Sequence, residues 1–360
     1  MAIPRRALAA LLLLAACDHT LASEPRVAVQ DSLVEHGPPE RLTVSPGKDA
    51  TPAWSPDGRG IWYAWERLDR RDRDLCLGRL PATGGTRTDE ACRLLPPASQ
   101  DSVNWFLWPA PHPDGRRVLW FRWSQIRTAR AGGRGEFVIA PIDRLADPTA
   151  ERVLRRFPFT PAPPDGPLHT WPESPQWVDE TTLVYLATQQ TVPGNTATTQ
   201  DTIYRGIELA KLLLTAADTA SVTPIPGTDS ASGFTLAPGG VIYFTKLFDE
   251  RVYRTTLAGG ARDTVFDFGV AGVARDPVWD GGRLFAIVGG EVRDTFLQNI
   301  GHLQIDGGGE LWVAEGGGTQ LVDAGHLWRH PARAPGGGAL ALEGRDLASG
   351  VTDIYVVRIP

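Results

Sequence analysis

One unit recurs along this 360-residue chain. It reads Pro52-Ala-Trp-Ser-Pro-Asp-Gly58, followed by the apolar run Ile61-Trp-Tyr-Ala-Trp65. It returns as Pro109-Ala-Pro-His-Pro-Asp-Gly115 with Val118-Leu-Trp-Phe121, and as Ser174-Pro-Gln-Trp-Val-Asp-Glu180 with Leu183-Val-Tyr-Leu186. More worn copies are Phe234-Thr-Leu-Ala-Pro-Gly-Gly240 with Val241-Ile-Tyr-Phe244, Asp276-Pro-Val-Trp-Asp-Gly-Gly282 with Leu284-Phe-Ala-Ile-Val288, and His330-Pro-Ala-Arg-Ala-Pro-Gly-Gly337 with Ala339-Leu-Ala-Leu342. Aligned on Trp54, the copies fall at positions 54, 111, 177, 236, 279 and 333, spaced by 57, 66, 59, 43 and 54 residues. A unit of this size cannot bury its apolar surface alone, so the copies must pack on one another.

The chemistry of the unit says how. Ser55-Pro56-Asp57-Gly58 suits a type I turn, with Pro presetting φ at the second position and Gly at the fourth. The run after it is apolar on both faces, which predicts a strand inside a sheet covered on both sides. Third strands are expected at Asp74-Leu-Cys-Leu77, Glu136-Phe-Val-Ile139, Asp201-Thr-Ile-Tyr204, Arg251-Val-Tyr-Arg254 and Asp353-Ile-Tyr-Val-Val357. Fourth strands are expected at Cys92-Arg-Leu-Leu95 and Val222-Thr-Pro-Ile225. The 39 Gly and 30 Pro argue against a helical solenoid, because both residues break helices. The expected fold is all-β: a six-bladed β-propeller of four-stranded blades over residues 40–360. The segment Glu40-Arg-Leu-Thr-Val-Ser45 supplies the missing fourth strand of the last blade, so that the N-terminal strand closes the ring and removes exposed edges.

The Trp-Ser-Pro-Asp-Gly motif with its apolar strand resembles the WD40-like, or PD40, repeat of TolB-type β-propellers, and related propellers precede the hydrolase domain of prolyl-oligopeptidase-family peptidases. The resemblance covers residues 40–360 and concerns a structural signature, so it carries over no catalytic residue. Neither a separate N-terminal α/β domain nor a following hydrolase domain is expected.

The first residues read as an address. Arg5 and Arg6 precede an apolar run from Ala7 to Ala16, too short to span a bilayer. The run ends Leu14-Ala15-Ala16-Cys17, which looks like a bacterial lipobox with Cys17 as the acylated mature N-terminus. The alternative is an ordinary secretory signal, cut there or near Ala22-Ser23. Residues 1–16 are thus a lipoprotein signal and 17–39 a polar, Pro-containing tether. Of the 3 cysteines this leaves Cys76 and Cys92. They sit on strand-like runs either side of a Gly-containing turn, where an oxidising periplasm permits a disulfide; the alternative is two packed thiols.

Tests for chemistry are mostly negative. There is no Gly-x-Ser-x-Gly elbow and no phosphate-binding Gly-rich loop, and the glycine clusters 307–309, 316–318 and 336–338 look like hairpin turns. His326 and His330 have the spacing of a helical zinc pair but lie on an expected strand, so no metal and no cofactor are expected. The net charge of −6, or −8 once Arg5 and Arg6 are removed, offers nothing to nucleic acid. What remains is aromatic. Three residues before the aligned Trp54 position lie Thr51, Trp108, Ser174, Gly233, Asp276 and His330, flanked by Trp171, Glu173, Arg275 and Arg329. In a propeller these approach the mouth of the axial channel, where they form a candidate binding set. The alternative is that the Trp side chains pack between blades and the charges pair.

The leading expectation is a monomeric, lipid-anchored envelope protein, facing the periplasm or exterior, that binds a protein or peptide without catalysis. The alternative is a small-ligand or enzymatic propeller with its site at the channel mouth; six-bladed lactonases and sugar dehydrogenases, which use Ca²⁺ or a quinone, are similar in fold only. A purely structural envelope protein is the third reading.

Overall fold

The computed structural model describes residues 37–68, 74–92, 102–126, 133–158, 169–191, 203–214, 220–260, 262–289, 308–345 and 351–359. The signal, Cys17 and nearly all of the tether lie outside them. All the described residues belong to one compact unit, Leu33–Pro360. They contain no α-helix, only strands, turns and short 3-10 segments.

The strands run as antiparallel meanders. After the short β1 (Glu40–Arg41) come β2 (Asp49–Trp54), β3 (Gly60–Glu66), β4 (Leu75–Pro81) and β5 (Asp89–Ala91). The next meander is β6 (Ser102–Pro111), β7 (Arg117–Ile126), β8 (Gly133–Pro141) and β9 (Arg152–Pro158), joined to the previous one by a parallel bridge from Leu75 to Trp105. Two four-stranded sheets follow: β10 (His169–Trp177), β11 (Thr182–Thr191), β12 (Ile203–Leu214) and β13 (Ala220–Pro224), then β14 (Ala231–Ala237), β15 (Val241–Lys246), β16 (Arg251–Thr256) and β17 (Asp263–Asp267). The remaining strands are β18 (Ala274–Asp280), β19 (Arg283–Val288), β20 (Gly309–Glu315), the 16-residue β21 (Gly318–Arg333), β22 (Ala339–Arg345) and β23 (Thr352–Arg358). β21 serves twice, pairing with β20 from Gly318 to Asp323 and again at Trp328, and with β22 from Leu327 to Arg333. β1 lies antiparallel to β23, with Glu40 opposite Val356 and Arg41 opposite Tyr355.

The expectation of an all-β chain of four-stranded sheets therefore holds, and its causes are visible. The second strands β3, β15, β19 and β22 are buried almost throughout, as two-sided apolarity requires. In the first turn Gly58 N–H donates to Ser55 O at 2.9 Å, and Ser55 Oγ ties back to Gly60. In the second copy His112 replaces the Ser; its Nδ1 accepts from Asp114 N–H, and its Nε2 lies 2.9 Å from Glu180 O. Two expectations need correction. The fourth strand of the first meander is Asp89–Ala91 rather than a run beginning at Cys92, residues 93–95 lying outside the described ones. Gly309 does not turn but opens β20, where a Cβ would meet Val288 O at 2.6 Å. Cys76 and Cys92 form a disulfide, with Cα atoms 4.7 Å apart.

Asp353 organises the contact between the chain's first and last described strands. Its carboxylate pairs with Arg41 and accepts from Thr43 Oγ and Ser45 N–H, each at 3.2 Å. Beside it Asp49 is 2% exposed. Burial, with the neighbouring Asp353 and Glu343 carboxylates, pushes Asp49 up to about 7, against a hydrogen bond from Thr43 and the charge of Arg87. An acid whose folded pKa lies above its unfolded value is worth most when protonated. Its contribution is complete below about pH 4 and is lost as pH rises towards about 7. Asp49→Asn is accordingly expected to flatten the fall in denaturation midpoint over that window. Parallel midpoint–pH curves for the two proteins would refute this.

Candidate functional site

The first strand of each repeat breaks its ladder, at the same aligned place in five copies and slightly earlier in the fourth. Register shifts lie at Ala50/Ala53 in β2, Leu107/Ala110 in β6, Glu173/Gln176 in β10, Ala231/Gly233 in β14, Arg275/Val278 in β18 and Arg329/Ala332 in β21. Five breaks fall on an X-Pro dipeptide, because Pro has no N–H to give the ladder and disfavours the right-handed helical region in the residue before it. That residue is left-handed in all five: Thr51 (φ 51°), Trp108 (54°), Ser174 (49°), Asp276 (44°) and His330 (45°). Such a conformation costs roughly 1–3 kcal/mol at a non-Gly residue and persists only where its surroundings enforce it. The fourth repeat has Gly233 instead, because a Cβ there would meet the backbone N of Asp276 at 2.8 Å.

The enforcing contacts run between neighbouring repeats. Trp108 N–H donates to Thr51 Oγ at 3.3 Å, Trp177 Nε1 to Ala110 O at 3.0 Å, and Gln176 Nε2 to Phe234 O at 2.9 Å. Trp279 N–H donates to Thr235 Oγ at 3.3 Å, His330 N–H to Asp276 Oδ2 at 3.4 Å, and Trp54 Nε1 to Ala332 O at 2.9 Å. The bonds thus link β2 to β6, β6 to β10, β10 to β14, β14 to β18, β18 to β21, and β21 to β2.

These strands enclose a cavity of about 460 Å³, lined from the level of the breaks to the turns beyond them. Of the candidate set, Thr51, Trp108, Ser174, Asp276 and His330 line it, and Gly233 is not among the lining residues. The Trp108 and His330 rings meet edge to face at 4.6 Å. His330 stands between two carboxylates, with Nδ1 3.6 Å from Asp276 Oδ2 and Nε2 3.9 Å from Glu343 Oε2. Four other candidates lie off the cavity. Trp171 packs in the core against Phe121 (4.6 Å) and Trp123 (5.1 Å). Arg275 is buried and donates to Gly289 O at 2.6 Å. Arg329 is buried with Nε 3.5 Å from Glu343 Oε1, and Glu173 is half-buried on β10. Sequence reasoning had not singled out Trp54, Trp177 and Trp279, which are half-buried and line the cavity. The signal for them was the alignment column on which the repeat was matched. Among the described residues no group of three His, Cys, Asp or Glu is placed to hold a metal ion.

No protein-family model matches the chain, and no curated protein matches it in sequence. Solved structures do match. A luciferin-regenerating enzyme is similar with a TM-score of 0.51 at 13% identity, over 89% of this chain and 92% of that one. An oligogalacturonate lyase in complex with manganese gives 0.49 at 13% identity, over 91% and 98%. The β-propeller domain of the Trilobed protease from Pyrococcus furiosus gives 0.44 at 10% identity, over 87% and 82%. At such identities the likeness concerns the fold alone and assigns this chain no activity.

Proposed function

We propose that this chain is a six-bladed, ring-closed propeller of the TolB-like kind, anchored in a bacterial cell envelope through acylated Cys17, that holds part of a protein or peptide in its axial cavity without catalysis. Support for six blades and closure comes from the pairing of β1 with β23 and from the bonds that return from β21 to β2. Support for the anchor is the Leu14-Ala15-Ala16-Cys17 run. The observation that carries the binding role is the cavity, whose volume suits a ligand group and whose Trp rings are fixed before any ligand arrives.

A photocrosslinking side chain at Leu236, which lines the cavity, tests the role in the anchored protein. A discrete adduct is expected, and Trp177→Ala is expected to reduce it about tenfold, as loss of an aromatic anchor does. An adduct insensitive to Trp177→Ala, or none at all, overturns the reading. Separately, Cys17→Ser is expected to release the protein from membranes; retention in the membrane fraction would refute the anchor.

The placement of His330 between two carboxylates favours a second reading, in which the same cavity processes a small ligand. Turnover of a captured ligand, abolished by His330→Gln, would replace the binding role with that one.

A further inference from the structure

Trp54, Trp177 and Trp279 share one repeat position and fall in the first, third and fifth copies. Their orientations are set by the protein. Trp54 and Trp177 donate their indole N–H groups to Ala332 O and Ala110 O, and Trp279 stacks on Tyr243 with centroids 4.8 Å apart and planes at 20°. The engaged N–H groups leave Trp54 and Trp177 their ring surfaces to offer a ligand, and Trp279 has one face covered by Tyr243. Trp108 adds a fourth ring to the same wall. Two charged side chains line the cavity, Asp276 and Arg333. Arg333 Nε lies 2.6 Å from Asp280 Oδ1, a carboxylate that also pairs with Arg283. The Asp276 side chain keeps 18% of its surface accessible. The whole chain carries −6, so its long-range field favours cations.

The geometry points to an ammonium group as what the cavity holds, with Trp faces around the positive charge and the Asp276 carboxylate at its side. This inference rests on the axial cavity being the binding site. Ring faces attract a cation by about 0.5–2 kcal/mol each through their quadrupole, an attraction that a neutral group of the same shape does not gain. Such an ammonium belongs either to a peptide, as a lysine side chain, or to a free small amine.

Fluorescence titration of the full chain carrying Cys17→Ser distinguishes these. The probes are choline and its neutral tert-butyl isostere, and a blocked Gly-Lys-Gly peptide and its norleucine counterpart. Each cation is expected to bind at least about tenfold more tightly than its neutral partner, within the range that ring faces and one carboxylate supply. Asp276→Asn is expected to reduce that difference, and what remains is the share of the ring faces. Asn tolerates the left-handed backbone at this position, so the fold is retained. Tighter binding of choline than of the lysine peptide assigns the site to small amines, and the reverse assigns it to peptides. Neutral partners binding as tightly as the cations would overturn the ammonium inference and leave the cavity reading intact. So would failure of every probe while the Leu236 adduct still forms. Failure of the probes and the adduct together would overturn both.

Discussion

Arg122→Met is expected to destabilise the fold by about 3–5 kcal/mol, the usual cost of removing one member of a buried ionic group. Arg122 lies on β7, and its guanidinium is shared by Glu136 on β8 and Glu151 just before β9. The three side chains are 9%, 5% and 8% exposed. Without the arginine, two carboxylates remain in a site that hydrates them poorly, and the largely exposed Arg156, 3.2 Å from Glu136, offsets one of them in part. The cost comes from stranded charge rather than lost packing, since Met fills much of the same volume. Adding Glu136→Gln and Glu151→Gln to Arg122→Met is therefore expected to recover part of the loss. Urea denaturation followed by tryptophan fluorescence reads both effects. An unchanged midpoint in the single variant, or a further fall in the triple one, would contradict this account.

Asp353→Ala is expected to cost about 2–3 kcal/mol, the scale for hydrogen bonds to a buried charged group. It removes the acceptor for Thr43 Oγ and Ser45 N–H and the carboxylate that pairs with Arg41, which keeps its bond to Thr43 O. Arg41→Ala is expected to cost less than about 1 kcal/mol, because that side chain is 42% exposed and water screens its pairing. The loss should also be local. The amides of Leu42 and Thr43, which both donate to Ile354 O, are expected to exchange with solvent faster in Asp353→Ala than those of β3. Uniform acceleration across the chain would mean that Asp353 supports the whole fold rather than this junction.

The legible parts of the structure were those with a local cause. Second strands were readable because two-sided apolarity permits few alternatives, and the Ser-Pro-Asp-Gly turn because each residue has its own conformational reason. The column of Thr51, Trp108, Ser174, Asp276 and His330 was found by counting, but not its left-handed backbone. That depends on contacts from the adjacent repeat, such as Trp108 N–H to Thr51 Oγ. β20 was missed because the glycine run 307–309 reads as a turn, whereas the close approach of Val288 makes Gly309 part of a strand. Trp171 and Trp108 look alike in sequence. One packs against Phe121 and the other lines the cavity, because the sheets that cover Trp171 are built from residues far along the chain. Trp54, Trp177 and Trp279 are hidden for the opposite reason: they mark the repeat itself, and a residue that recurs with the fold gives no sequence sign that it also lines a cavity.

The pairing of β1 with β23 also bears on the timing of synthesis. Arg41 and Asp353 are 312 residues apart. At about 5–20 residues per second, the ribosome needs about 15–60 s to make the partner after the first strand has emerged. During that interval β1 has not met the strand it pairs with. A foreign strand would find β1 a poor template: it is two residues long and consists of one acid and one base, Glu40 and Arg41. Its brevity and charge protect the nascent chain from wrong partners, and most of the specificity for β23 is deferred to Thr43 and Asp353, which act only when the last strand arrives.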